Sequence, residues 1–235
     1  RGLHGGRMLA VLKANAYGHG AVACARALAD ADGFAVAFGD EATALRAAGV
    51  RAPLLVLEGV FSDAELHTAL RECWAIVVHH EEQLAMIERS TLPPASLHVW
   101  LKQDSGMHRC GFEPDAFRAA HARLVATGKA ASITLMSHFA RADERDSGYT
   151  AEQIARFDEA TAGLPGRRSL ANSAGVLLWP GARRDWARCG IALYGAGADR
   201  AIGLRPVMSV GSQLIAIREI AAGEPLGYGG RFVAT

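Results

Sequence analysis

The amino-acid sequence predicts an α/β fold, a (β/α)8 barrel of the TIM type followed by the start of a smaller β-rich domain. Eight short apolar segments alternate with Ala-rich amphipathic segments over most of the chain. Several apolar segments carry no polar residue, which is expected for parallel strands buried on both faces. Polar clusters follow several of them, and the active residues of such barrels lie just beyond the strands. An open doubly wound sheet is the competing arrangement, and eight strands favour the barrel.

Hydrophobic periodicity gives the bounds of the expected elements. The predicted strands are Met8–Leu12, Phe34–Phe38, Leu54–Leu57, Ala75–Val78, Leu97–Leu101, Ile133–Met136, Ser169–Leu170 and Ala187–Ile191. The predicted helices are Ala21–Ala29, Asp40–Ala48, Ser62–Leu70, Glu81–Glu88, Pro114–Ala126 and Ala151–Ala162. Asp40 and Ser62 are predicted N-caps, the latter in a capping box with Glu65. Gly49 and Gly128 are predicted to end helices.

The character of the sequence changes near Gly203. We predict a barrel domain over residues 1–203 and the truncated beginning of a β-type domain over 204–235. Within the latter, Pro206–Ile220 is predicted to be an extended strand and Ala221–Gly230 to be rich in turns. Because the chain starts at Arg1 and enters an apolar strand almost at once, we expect its natural start to be missing.

Composition and charge argue against several classes of partner. A chain that is 50% hydrophobic and 21% charged is typical of a folded globular protein. Its net charge of +1 gives no indication of a nucleic-acid partner or an anionic membrane surface, and no apolar run is long enough for a transmembrane helix. The four cysteines lack metal-ligand or redox spacing and are few for a disulfide scaffold, which predicts reduced thiols in a cytoplasmic protein and no metal site.

Lys13 is the first candidate catalytic residue. Only three of the 25 basic residues are lysines, and this one follows the first apolar strand. Desolvation lowers the pKa of a lysine and makes its amine a nucleophile toward an aldehyde. Tyr17 is close enough along the chain to reach the same site, and Gly18 and Gly20 allow a tight turn. A lysine that extends to solvent from a strand end is the structural alternative.

The segment Ala10–Gly20, which ends in KANAYGHG, is similar to the signature of the alanine racemases. These are pyridoxal-phosphate (PLP) dependent amino-acid racemases, and the resemblance extends from Leu9 to about Val233. It implies that the barrel binds PLP, that Lys13 carries it covalently, and that Tyr17 lies beside it.

Two further clusters resemble motifs of the same family. The segment KQDSGMHRCG begins at Lys102 and contains Arg109, which the resemblance assigns to the substrate carboxylate; the planar fork of an arginine holds a fixed direction. The lysine matching Lys102 is carbamylated in some members, and a salt bridge between Lys102 and Asp104 is the structural alternative. His138 is expected to lie beside the PLP ring; without the resemblance it is a lone histidine after a strand.

The last two barrel motifs are expected to bind the phosphate and the ring. Asn172 and Ser173 offer a hydroxyl and free N–H groups to a phosphate, although Asn-Ser is also a common helix cap. By resemblance, Gly190 and Ile191 donate N–H groups to the phosphate and Arg188 contacts the pyridine nitrogen. The family commonly has proline where this chain has Cys189.

Together these motifs imply a two-base interconversion of L-alanine and D-alanine in a homodimer with shared active sites. Lys13 would serve the D-alanine face, and Tyr228, in the segment GYG, would serve the L-alanine face from the second subunit; a tyrosine in a β-turn is the structural alternative. The role in bacteria would be D-alanine supply for the peptidoglycan cell wall or alanine breakdown. A racemase of broader range, including serine, and a non-catalytic PLP carrier stay open. Arg188 disfavours a decarboxylase, in which a carboxylate faces the ring nitrogen.

Overall fold

The barrel predicted from the sequence is present in the computed structural model, which describes residues 5–197 and 203–235. Eight strands pair in chain order, all in parallel, and β8 closes the barrel on β1. They are β1 (Arg7–Val11), β2 (Gly33–Val36), β3 (Leu54–Val56), β4 (Trp74–Val78), β5 (Leu97–Lys102), β6 (Ala130–Met136), β7 (Arg167–Ser169) and β8 (Trp186–Cys189). This closure excludes the open doubly wound sheet.

Helices lie outside the strands and follow them in sequence. A single helical turn, α1 (Lys13–Tyr17), comes directly after β1. The others are α2 (Ala21–Ala27), α3 (Gly39–Ala47), α4 (Asp63–Arg71), α5 (Glu81–Arg89), α6 (Pro114–Ala126), α7 (Tyr149–Thr161) and α8 (Ser173–Leu178). Each predicted helix is present within two residues at either end.

Alternation along the strands divides the core into two parts. A cluster inside the barrel takes side chains from every strand except β7: Leu9, Val11, Ala35, Leu55, Val77, Trp100, Met136 and Trp186. The larger cluster packs the outward faces of the strands against the helices. Because strand side chains alternate between the two faces, a residue two positions after an inward-facing one also faces inward. This alternation helps to determine which side chains point toward the mouth of the barrel.

Three of the four predicted helix-end residues have the predicted role. Ser62 Oγ accepts the N–H of Glu65 at 3.2 Å, and Gly49 and Gly128 have the left-handed φ values that end helices. The capping box is only half formed, because the Glu65 carboxylate accepts the N–H of Phe61 instead of that of Ser62. Asp40 as an N-cap was wrong. The carboxylate of Glu41 reaches back to the N–H groups before α3, so the helix begins one residue earlier and Asp40 lies in its first turn.

The chain beyond the barrel is largely irregular in residues 203–235. The predicted strand Pro206–Ile220 is wrong: its large apolar side chains, such as those of Val210 and Ile215, are exposed and no strand pairs with it. A strand is stabilised by its neighbours, so alternation alone does not form one. Only β9 (Pro225–Leu226) and β10 (Phe232–Val233) pair there, antiparallel. Within the described residues, no helix combines the length and apolar character needed to cross a membrane.

Candidate active site

A cavity of about 440 Å³ opens at the carboxyl ends of the strands. Ten residues that the sequence predicts for the site line it: Lys13, Tyr17, Lys102, Arg109, His138, Asn172, Ser173, Arg188, Gly190 and Ile191. They come from five separate segments, and the closed barrel brings these segments together. Tyr228 does not line the cavity of its own chain and is fully exposed.

Side-chain alternation along the strands explains how four polar residues reach this cavity. Lys13 lies two positions after the inward-facing Val11, and Lys102 lies two after Trp100. His138 and Arg188 follow Met136 and Trp186 in the same way. These polar side chains therefore point inward at the carboxyl end of the barrel, directly above the apolar interior cluster.

The turn after Lys13 has unusual backbone geometry. Ala14, Asn15, Ala16 and Tyr17 all have positive φ values, between 51° and 57°. Left-handed conformation costs L-residues roughly 1–2 kcal/mol each, so neighbouring groups must hold it. Glu41 accepts the N–H of Ala14 at 2.6 Å, and the side chain of Asn15 accepts the N–H of Ala21, the first residue of α2, at 2.8 Å. Such strain commonly occurs beside functional groups.

Arg188 is buried beneath the cavity, with only 3% of its surface exposed. One terminal nitrogen donates to Ser169 Oγ, and the other donates to the Ser137 carbonyl at 2.6 Å and lies 3.3 Å from His138 Nδ1. Burial lowers the pKa of Arg188 to about 10. The guanidinium remains a cation at neutral pH, and its direction is fixed by both arms of its fork.

His138 is held as a neutral imidazole. Burial lowers its pKa well below the usual value, and the charges of Arg188, Lys102, Arg109 and Lys13 lower it further. A histidine in this state can accept a hydrogen bond from Arg188 but adds no positive charge to the site.

This depressed pKa predicts a pH dependence of stability. Below about pH 6.5 the unfolded chain binds a proton at His138 that the folded chain excludes, so the free energy of unfolding falls as pH decreases. The slope approaches about 1.4 kcal/mol per pH unit for this one group. We expect His138→Gln to make the decline shallower in denaturant unfolding from about pH 7 to pH 5, whereas His67→Gln, at an exposed position on α4, leaves it unchanged. An equal slope in the wild type and His138→Gln would contradict this expectation.

At the other side of the cavity, hydroxyl and N–H groups converge. Ser173 Oγ accepts the N–H of Gly190 at 3.0 Å and that of Ala192 at 3.2 Å. Asn172 caps α8 by accepting the N–H of Gly175 at 2.9 Å. Its side chain is therefore used by the helix, as the structural alternative anticipated, while it also borders the cavity. Hydroxyl and N–H donors grouped in this way fit a phosphate.

Tyr17 packs directly over Gly190. Its ring lies 4.9 Å from the ring of Tyr194, which donates to the Val11 carbonyl at 2.9 Å, and burial raises the pKa of both phenols. A Cβ at position 190 would overlap Tyr17 Oη and lie 3.1 Å from its Cζ. The absence of a side chain at Gly190 is thus what allows the phenol to reach the grouped donors.

We therefore expect Gly190→Ala to weaken PLP binding. Overpacking of this kind costs roughly 1–3 kcal/mol, which corresponds to about fivefold to 150-fold in dissociation constant. PLP titration followed by absorbance measures this loss. Gly181→Ala, where no atom lies within 4 Å of the new methyl, is the control. Unchanged PLP affinity in Gly190→Ala would refute the assigned position of the phosphate.

Lys102 and Arg109 border the cavity on the side of β5. Lys102 Nζ donates to Cys110 Sγ at 2.9 Å. The salt bridge to Asp104 that was the alternative is absent, because Asp104 accepts the N–H groups of the three residues Gly106–His108. These bonds shape the loop that carries Arg109, an exposed residue at the cavity rim.

Several residues of this site were not assigned roles from the sequence. They are Glu58, Asp143, Ser137, Ser169, Tyr194 and Cys110. Ser137 directly precedes the predicted residue His138, and Tyr194 lies four positions after Gly190, but neither carries a signal of which group it contacts. Position after a strand could have drawn attention to Glu58, since it lies two residues beyond β3, although alternation along β3 alone would not have pointed it inward.

A closed eight-stranded parallel barrel with a lysine, buried arginine and grouped N–H donors at its carboxyl end defines a (β/α)8-barrel enzyme. Residues 1–198 match the family model described as alanine racemase, N-terminal domain. The alanine racemase of Aromatoleum aromaticum is 60% identical over the whole chain and 67% of its own length. The catabolic alanine racemase of Pseudomonas aeruginosa is 54% identical, covering 97% of this chain and 65% of its own. The chain belongs to the alanine racemase family, whose members are PLP-dependent isomerases.

Solved structures agree with this assignment. The biosynthetic alanine racemase of Pseudomonas aeruginosa superimposes with a TM-score of 0.90 at 46% identity, over 97% of this chain and 65% of that one. The alanine racemase of Bartonella henselae with covalently bound pyridoxal phosphate has a TM-score of 0.86 at 28% identity, over 99% of this chain and 66% of that one. The chain thus spans about two thirds of the length of these relatives.

Proposed function

We propose that this protein interconverts L-alanine and D-alanine with PLP as its cofactor and Lys13 as the residue that carries it. The observation that supports this most directly is the single cavity that brings Lys13, Arg188, His138 and the Ser173–Gly190 donors together. Family membership supports the same reaction.

The residues of the cavity fit PLP at three points. Ser173 Oγ and the N–H groups of Gly190 and Ile191, with Tyr17, would hold the phosphate, and the glycine leaves the required space. Arg188, beside His138, would face the ring nitrogen, and Lys13 would reach the aldehyde carbon. When bound, PLP supplies an electron sink that acidifies the Cα proton of the attached amino acid.

The chain's own residues then have to remove a proton from one face of the substrate Cα and return one to the opposite face. Lys13 Nζ serves the face that leads to D-alanine, and the Tyr228 hydroxyl of a second subunit serves the face that leads to L-alanine. Two bases are needed because one group cannot easily reach both faces. Arg109 binds the substrate carboxylate at the rim, and Lys102, free or carbamylated, orients that arginine.

This assignment requires a homodimer with shared active sites. Tyr228 is fully exposed and outside its own cavity, as expected for a residue supplied to another subunit. We propose that residues 1–203 form the barrel domain and that 204–235 begin a second, β-type domain. The four free cysteines are consistent with the cytoplasm as the compartment.

The reaction is tested by incubating the PLP-loaded protein with L-alanine in heavy water. Formation of D-alanine with deuterium at Cα, measured by chiral separation and mass, is the expected result. Bound PLP without deuterium exchange at Cα or D-alanine formation would overturn the proposal. Deuterium exchange into serine but not alanine would make serine the substrate.

Replacing Tyr228 by phenylalanine tests the second base. We expect roughly a 10²–10⁴-fold loss of racemisation, with the absorbance of covalently attached PLP unchanged. Mixing this variant with Lys13→Ala subunits should restore part of the activity, because a mixed dimer contains one site with both bases. No recovery in the mixture, or loss of attached PLP in Tyr228→Phe, would rule out the shared site.

A further inference from the structure

A second group of reactive side chains lies at the wall of the cavity, between the ends of β3 and β5. Ligand atoms of Glu58, His79 and Cys110 all lie within 4.8 Å of one another. Glu58 also lines the cavity, and His79 is buried, with 8% of its surface exposed. We propose that these three residues bind a single thiophilic divalent cation such as Zn²⁺, and that the bound cation displaces Lys102 and inhibits the enzyme.

The position of the three donors follows from the order of the strands. β3, β4 and β5 are neighbours in the barrel. Glu58 follows β3, and Cys110 lies in the loop after β5. His79 lies two positions after Val77, which faces the barrel interior, so its ring points toward the same mouth as Lys13. Three separate segments contribute one ligand each, which is why no cysteine or histidine spacing in the sequence predicted a metal site.

Two of the three ligands have fixed backbones. The buried amide of Gln83 accepts the N–H of His79 at 3.0 Å and donates to the Glu58 carbonyl at 2.9 Å. His79 Nε2 lies 3.1 Å from the same carbonyl. Hydrogen bonds that orient the ligands from behind are typical of metal sites and lower the cost of assembling them.

The donor set suits a borderline-soft cation. A thiolate, an imidazole and a carboxylate, with one position left for water, match the three-ligand zinc sites of enzymes. The two anionic ligands neutralise a divalent charge, and binding releases the Cys110 proton. Geometry and chemistry thus favour Zn²⁺ or Co²⁺ over Mg²⁺ or Ca²⁺, which prefer oxygen ligands.

The site is linked to the candidate active site through Lys102. The Nζ of unmodified Lys102 donates to Cys110 Sγ at 2.9 Å, and a cation bound to that sulfur both removes the acceptor and repels the ammonium. The link therefore applies to the enzyme whose Lys102 is not carbamylated. Lys102 would then turn into the cavity that it already lines with Arg109. The inhibitory part of this inference rests on the proposed racemase function, whereas metal binding itself does not.

Cobalt binding tests the site independently of activity. PLP-loaded protein, freed of metal by chelation and of unbound PLP by gel filtration, is titrated with Co²⁺. We expect one equivalent to bind with a sulfur-to-cobalt charge-transfer band that Cys110→Ala abolishes and Glu58→Gln weakens. Cys73→Ala, an exposed cysteine at the other end of the barrel, is the matched control and should keep the band. A band of equal strength in Cys110→Ala, or no band in the wild type, would overturn the proposal.

Zinc inhibition tests whether metal binding at this site lowers the activity. We expect Zn²⁺ to inhibit racemisation reversibly, with EDTA restoring activity, and Cys110→Ala to raise the half-inhibitory concentration by about 100-fold or more. Equal sensitivity of the wild type and Cys110→Ala would refute the link through Lys102. If the protein has no racemase activity but shows the cobalt band, the metal site stands and the proposed function fails.

Discussion

Replacing Lys13 by alanine is expected to eliminate both covalent PLP attachment and racemisation. In the proposed function, Lys13 is both the nucleophile that attaches the cofactor and the base on the D-alanine face. Loss of a positioned base alone costs roughly 10²–10⁴-fold in rate. The absorbance of attached PLP and the rate of D-alanine formation measure the two losses separately. Added methylamine should restore part of the activity if the amine itself is what the site lacks.

Lys129→Ala is the matched control. Lys129 lies just before β6, where its Nζ donates to the carbonyls of Ile87, Glu88 and Ser90, outside the cavity. We expect this variant to lose some stability and to keep attached PLP and activity. Covalent PLP in Lys13→Ala, or its loss in Lys129→Ala, would move the attachment site away from Lys13.

Arg188 is expected to control both the rate and the outcome of the reaction. Arg188→Lys keeps the charge but cannot reach Ser169 and Ser137 at once, as the two arms of the guanidinium do. Arg188→Gln removes the charge. Because misplacement of a group at the reacting centre costs about 10²-fold, we expect both variants to racemise alanine roughly 10²-fold more slowly.

The two variants differ in their expected side reaction. A cation beside the ring nitrogen opposes its protonation, and removing that charge strengthens the electron sink. Pyridoxamine phosphate should therefore accumulate per turnover in Arg188→Gln and not in Arg188→Lys, as measured by chromatography. Arg184→Gln, whose arginine pairs with Asp158 at the surface, is the control and should behave as the wild type. The same product ratio in both Arg188 variants would refute a role of the charge.

Sequence motifs and strand order together predicted ten cavity residues, because each motif follows a strand and a closed barrel places all strand ends at one mouth. What the motifs could not predict is which groups hold these residues. The Ser169 and Ser137 contacts of Arg188, like the Glu41 contact of Ala14, join positions 19, 51 and 27 residues apart. Such pairings depend on strand register and rotamers, which periodicity does not encode.

Local sequence patterns were enough to predict eight strands, and their number favoured a barrel over an open sheet. The motifs that follow the strands predicted the side chains at its mouth, because strand-length apolar runs and the polar clusters after them are local properties. Only the folded barrel fixes the contacts between segments that are distant in sequence. It placed Lys102 on Cys110 instead of Asp104, left Pro206–Ile220 without a partner strand, and brought Glu58, His79 and Cys110 together. Each of these outcomes depends on which distant segments become neighbours, and that is settled only when the barrel closes.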